Sequence, residues 1–193
     1  MSQLSETATS LKNDAIKVLK DWDFLNILNK YGTPYIVGSV ELDLMTWRDI
    51  DIEVISSSAP TKNDIMEIAG YLFNKTGVRK VSPIDYSDVD GVKKPKGLYV
   101  GAEYVDKENN KWKIDVWLLT KDSARTKDTT EMLKHKLTPK FKEIILDIKS
   151  QLSTHPKYRK EISSVDIYTA VIDSGIKNLE GFKQYLSQMG IEL

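Results

Sequence analysis

The chain of 193 residues contains no cysteine. Disulfides, thiolate metal sites and cysteine nucleophiles are therefore excluded. There is no excess of charge either, since 28 basic residues balance 28 acidic ones. General nucleic-acid binders carry a strongly basic surface, so that class is not expected, although a local basic groove is compatible with the balance. No apolar run approaches the roughly 20 residues that span a bilayer. The polar start MSQLSETATSLKND lacks the apolar core of a secretion signal. The expectation is a soluble, cytoplasmic protein with no membrane partner. Its two histidines, His135 and His155, show no triad or metal spacing and read as surface or capping residues. No P-loop and no G-x-G-x-x-G run is present.

What is there is ordinary globular material, 40% hydrophobic and 29% charged, of a length that suits one domain with at most a small extension. After a frayed start over 1–8, apolar residues recur at helical spacing from Thr9 to Asn29, with Thr9 or Ser10 as the cap. Tyr31-Gly32-Thr33-Pro34 turns the chain into a short strand, Tyr35-Ile36-Val37, which breaks at Gly38-Ser39. A second strand begins at Asp49. Thr61 to about Asn74 reads as a helix, Val78 to Ile84 as a strand, and Asp85 to Gly97 as a polar loop holding Lys93, Lys94 and Lys96. Leu98–Asp106 and Lys111–Leu119 form a hairpin turned by Glu108-Asn109-Asn110. Beyond Thr120 the pattern is helical: Thr130–Leu152 interrupted by Pro139, a helix capped at Ser163-Ser164, and a last one from about Leu179 to Met189. The expected class is α/β of the α+β kind: a mixed β-sheet core with an N-terminal helix over 1–120, and a helical region over 121–193 packed on it.

The chemistry is concentrated in PYIVGSVELDLMTWRDIDIEVI, residues 34–55. Alternate side chains of a strand share a face, so Asp49, Asp51 and Glu53 point one way while Ile50, Ile52 and Val54 point the other. Carboxylates two residues apart repel each other unless a cation bridges them, and magnesium suits such a pair together with substrate phosphates. Asp115 repeats the pattern between Ile114 and Val116. If its strand lies beside that of Asp49 and Asp51, three carboxylates converge, an arrangement able to hold two metals for in-line phosphoryl displacement. Gly38-Ser39 supplies a turn where backbone approaches a ligand closely, with a hydroxyl beside it. Metal at the acids and phosphate at the turn make a coherent nucleoside triphosphate site.

Gly38-Ser39, a nine-residue spacer and then Asp49-Ile50-Asp51-Ile52 resemble the signature of the DNA polymerase β-like nucleotidyltransferase superfamily. The resemblance covers about Tyr35 to Leu119. It implies a nucleotidyltransferase-like core in which Gly38 and Ser39 hold nucleotide phosphate and Asp49 and Asp51 bind both magnesium ions. Asp115 would complete one metal site and help activate the acceptor hydroxyl. A three-residue turn at 108–110 would place Glu103 opposite Asp115, where some members of the superfamily keep a general base. Asp51 and Glu53 fit the same pattern with a longer spacer; aspartate is the usual first pair, so Asp49 and Asp51 are preferred. The implied reaction moves a nucleoside monophosphate from a triphosphate to an acceptor hydroxyl, more readily on a small molecule than a protein. Short members act on lincosamide or aminoglycoside antibiotics or are paired with toxin proteins. The alternative is an inactive nucleotide-binding or interaction module of the same fold. Arg48 reads as a surface or ion-paired residue, the loop lysines as solvated, and Trp22, Trp47, Trp112 and Trp117 as core, with Trp117 sharing a face with Asp115.

Overall fold

The computed structural model describes residues 2–89, 94–124 and 126–193. The elements run α1 (Gln3–Asp21), α2 (Phe24–Leu28), β1 (Thr33–Val37), α3 (Gly38–Glu41), β2 (Asp49–Ser56), α4 (Lys62–Phe73) and β3 (Val78–Asp85). There follow β4 (Leu98–Val105), β5 (Lys111–Thr120), α5 (Thr126–Lys136), α6 (Pro139–Leu152), α7 (Ser164–Ile172) and α8 (Leu179–Gln188). One five-stranded mixed sheet has the order β1-β2-β5-β4-β3, with helices flanking it. The pair β2 and β5 is parallel and every other pairing is antiparallel.

The period-2 pattern of β2 and β5 divides the sheet into a dry face and a polar one. Ile50, Ile52, Val54, Ile114, Val116 and Leu118 are fully buried on one face. They pack with Leu11, Ala15 and Leu19 of α1, Phe24 and Leu28 of α2, and Ile65, Ile68 and Leu72 of α4. The other face carries the aspartates. A second apolar cluster joins α5 to α8 through Leu133, Ile145, Ile148, Ile167, Val171 and Phe182, and it also takes in Ala8 of α1 with Leu42 and Leu44. Residues 42–48 thus link the β1–β2 connection to the helices beyond residue 120.

Three expectations change. The first helix is not capped at Thr9 or Ser10, and residues 2–8 are not frayed. Ser2 is the cap, accepting from the Ser5 amide at 3.2 Å. Burial holds this turn in place: Ser5 and Ala8 are covered, and Ser5 Oγ donates to Glu143 on α6 at 2.8 Å. Nor does that helix reach Asn29 unbroken, because Asp23 takes a left-handed φ of 51° and starts α2 in a new direction. The hairpin turn is the third difference. Asp106 closes a longer loop, accepting from the Asn110 amide at 2.8 Å and the Trp112 indole at 3.0 Å, with Asn109 at φ 65°. Val105 then pairs with Lys111, so Asp115 faces Gly101, and Glu103 faces Lys113 rather than Asp115. Pro139 separates two helices by standing in the first turn of α6, where its missing N–H costs nothing, behind the Thr138 cap. Among the described residues no helix is long and apolar enough to cross a membrane.

Candidate active site

The parallel pairing of β2 with β5 sets Asp51 beside Asp115. Asp49 lies one pleat away on the same face. Oxygens of Asp49, Asp51 and Asp115 all lie within 4.8 Å of one another. Glu53 is not among them. It is 1% exposed and accepts from the Thr126 amide at 3.2 Å and the Lys127 amide at 2.9 Å, the free N–H groups that open α5. The shorter-spacer register, Asp49 with Asp51, is therefore the one that forms the cluster.

β1 delivers Gly38 to the same place. Val37 pairs with Asp51, and Gly38 follows at φ 64°, a left-handed conformation that favours glycine. A Cβ built on Gly38 would meet Asp51 Oδ2 at 3.5 Å, so the turn lies against the carboxylate pair. The Gly38 amide donates to Thr130 Oγ1 on α5 at 3.1 Å. Among the described residues the Ser39 hydroxyl has no hydrogen-bond partner. The Glu103 side chain is largely exposed, pairs with Lys80 at 3.2 Å and is not one of the three clustered carboxylates. Lys93 lies outside the described residues; Lys94 is exposed.

Burial, followed by crowding of like charge, sets the electrostatics. Burial, then Asp49 and Asp115, push the Asp51 carboxyl up to about 8. Burial also raises Asp49, opposed by Lys113 and by the Trp47 indole N–H, which donates to Asp49 Oδ2 at 3.3 Å. Asp49 Oδ1 is buried with no partner among the described residues. Orphaned buried carboxylate oxygens are costly and rare in native proteins. Three carboxylates this close together, one with an unpartnered oxygen, fit a hard cation with oxygen ligands.

Several neighbours were not singled out from the sequence. The Lys113 ammonium is bonded to Asp115, and although burial works against its charge, Asp49 and Asp115 outweigh that and hold its pKa high. Tyr99 donates to Asp115 Oδ1 at 2.8 Å; burial and that carboxylate raise its hydroxyl pKa, so it remains a donor. Both follow from period 2, since Lys113 lies two residues before Asp115, and Tyr99 two before the residue opposite it. Lys149 on α6 is fully buried and donates to the Leu44 carbonyl at 2.5 Å and to Tyr168 at 3.2 Å. Burial brings its pKa down to about 7 against the opposing pull of Asp49 and Asp51. Its sequence signal is a lysine on the apolar stripe of α6, four residues after Ile145. Trp47 has two cations over its ring, Lys149 at 4.9 Å and Arg159 at 3.8 Å from the ring centre.

No family model and no curated protein matches the chain. Solved structures similar to it include a cytoplasmic RNA terminal U-transferase, at 12% identity and TM-score 0.49 over 78% of this chain and 46% of that one. E. coli MS115-1 CdnC with ATP is 15% identical, at TM-score 0.45, over 95% of this chain and 65% of that one. Small alarmone synthetase 2 of Bacillus subtilis is 13% identical, at TM-score 0.41, over 98% of this chain and 100% of that one. The chain thus spans less than half of the U-transferase and just under two thirds of CdnC. At TM-scores below 0.5 these neighbours decide nothing about chemistry, which rests on Gly38, Ser39, Asp49, Asp51 and Asp115.

Proposed function

We propose that the chain is a magnesium-dependent nucleotidyltransferase that moves a nucleoside monophosphate from a nucleoside triphosphate such as ATP to an acceptor hydroxyl. The observation that carries this reading is the approach of three carboxylates to within 4.8 Å, with the Gly38 turn against them. Asp49 and Asp51 would hold two magnesium ions and Asp115 would complete one of the sites. Bound there, magnesium supplies charge neutralisation for the phosphates and Lewis-acid activation at phosphorus. The rest falls to the chain. The Gly38 turn and the free Ser39 hydroxyl receive the triphosphate. Tyr99 and Lys113 orient the Asp115 carboxylate toward the acceptor. The acceptor oxygen attacks the α-phosphorus in line, the bond to the bridging oxygen breaks, and pyrophosphate leaves. Glu103 shares the polar face with Asp115 one pleat away, and we assign it as the base that takes the acceptor proton; full turnover in Glu103→Gln would remove it.

A binding module without turnover is not favoured, because no member of the carboxylate set is missing. The deciding measurement is pyrophosphate release from each nucleoside triphosphate with magnesium and an acceptor panel. Release that disappears with EDTA supports the reading. Tight nucleotide binding with no release from any pair would replace it with the module. Cytoplasmic location belongs to the same proposal.

A further inference from the structure

Immediately beside the carboxylates, at the start of β2 and β5, lies a cavity of about 510 Å³. Five cationic side chains line it: Arg48, Arg79, Lys111, Lys113 and Arg159. Among the described residues Glu103 is the one acid in the lining, and Lys80 already holds it. Lys113 is committed to Asp115. Among the described residues the other four form no ion pair. In a chain with equal numbers of acids and bases, four unpaired cations around one cavity are not explained by overall composition. They repel one another when the cavity holds only water, and an anion relieves that repulsion.

The local backbone and packing point the same way. Arg159 takes a left-handed φ of 68°, which a non-glycine residue adopts at an energetic cost and which clusters at functional sites. That conformation lays its guanidinium on Trp47 at 3.8 Å. Arg48 lies over Trp112 at 5.7 Å from its ring centre, and its Nε is buried without a hydrogen-bond partner among the described residues. Two guanidinium groups thus lie over indole rings, with donors still unspent among the described residues. Such forks match a phosphate or carboxylate bidentately. The cavity is of the size that accommodates one small molecule. Its wall is continuous with the catalytic cluster, since Trp47 donates to Asp49 and Lys113 binds Asp115.

Resting on the nucleotidyl-transfer reading, we infer that this cavity is the acceptor site and that the acceptor is a small anionic alcohol of the phosphate-ester class. Its phosphate lies among Arg48, Arg79, Lys111 and Arg159, and its hydroxyl is directed toward Asp115. In the transfer, that hydroxyl oxygen bonds to the α-phosphorus, its proton leaves to a carboxylate, and pyrophosphate departs from the donor. A polycationic acceptor such as an aminoglycoside meets charge of its own sign here and is disfavoured.

The test is calorimetric titration of the full chain at low salt in EDTA, without nucleotide, using ribose 5-phosphate, ribose and kanamycin as probes. Ribose 5-phosphate should bind at least about tenfold more tightly than ribose, and kanamycin should not bind. Arg48→Gln and Arg159→Gln should each weaken ribose 5-phosphate by about tenfold, the loss expected when a charged hydrogen-bond donor is removed. Arg79→Gln, at an exposed position, should weaken it several-fold without disturbing the fold. Ser39→Ala should leave it unchanged, which separates this cavity from the donor turn. Equal affinity for ribose and ribose 5-phosphate overturns the inference, as does loss in Ser39→Ala with retention in the arginine variants. Failure of the nucleotidyl-transfer reading registers separately, as no pyrophosphate release with any triphosphate. Phosphate binding that persisted in that case would remove the acceptor assignment.

Discussion

Asp51 concentrates the conflict of the site. Its carboxyl is pushed up to about 8 by burial and two neighbouring carboxylates. An acid whose folded pKa lies above its unfolded value contributes stability that is fully present below about 4 and lost as pH rises through about 8. The metal-free protein should therefore melt at progressively lower temperature between those limits. Asp51→Asn removes that liability. Its metal-free melting temperature at pH 8 should exceed the wild type's by a few degrees, at about 2–4 °C per kcal/mol for a chain of this size, while turnover is lost. Thermal melts across pH and a pyrophosphate assay check both halves; a variant as active as wild type would refute the metal assignment. Magnesium with nucleoside triphosphate should raise the wild-type melting temperature, because it binds the folded state alone, and should leave Asp51→Asn unmoved.

At the scale of elements, the site depends on how α5 is anchored. Glu53 stands on the strand that carries Asp49 and Asp51, and it accepts the first two free N–H groups of α5. The same helix brings Thr130 to the Gly38 amide. Glu53→Ala would leave both half-buried donors without that partner, at a cost of up to about 1–3 kcal/mol each. The expected result is a melting temperature lower by several degrees, with faster amide exchange at Thr126 and Lys127 than elsewhere in the chain; unchanged exchange there would show that other contacts hold the helix. Glu53 was readable from the sequence as a residue on the acidic face, but not as a cap, because its partners lie more than 70 residues away. The hairpin register shows the same limit. Asp106 chose the longer turn through side-chain hydrogen bonds, and two residues of difference moved Glu103 from Asp115 to Lys113.

Across the whole molecule, the helices beyond residue 120 share an apolar cluster with the first part of the chain. Ala8, Leu42 and Leu44 are packed among residues of α5 to α8, and Lys149 of α6 bonds the Leu44 carbonyl. We propose that 1–120 and 121–193, though distinct in pattern, unfold as one unit. Phe182→Ala, at a fully buried position on α8, should cost about 3–5 kcal/mol. Far-UV dichroism and tryptophan fluorescence should then fall together at a lower temperature, since Trp22, Trp47, Trp112 and Trp117 all precede residue 120. Two separated transitions would reject the coupling.

By itself the sequence determined what local periodicity and spacing can encode. The alternation in Asp49–Val54 and in Lys113–Trp117 assigned the acids to one face and the aliphatics to the other. The glycine after Val37 marked the turn, and Thr61 and Ser163 opened their helices because capping is a contact over three residues. Tertiary structure alone decided that β2 and β5 lie side by side and in parallel, which turns three scattered aspartates into one cluster. It also decided that Trp47, Lys149 and Arg159 converge beside that cluster, and that Arg48, Arg79 and Lys111 border one cavity. Those residues come from separate elements, and no pattern within a window of sequence relates them. Only packing of the helices on the sheet brings their charges within reach of one another, where electrostatics acts.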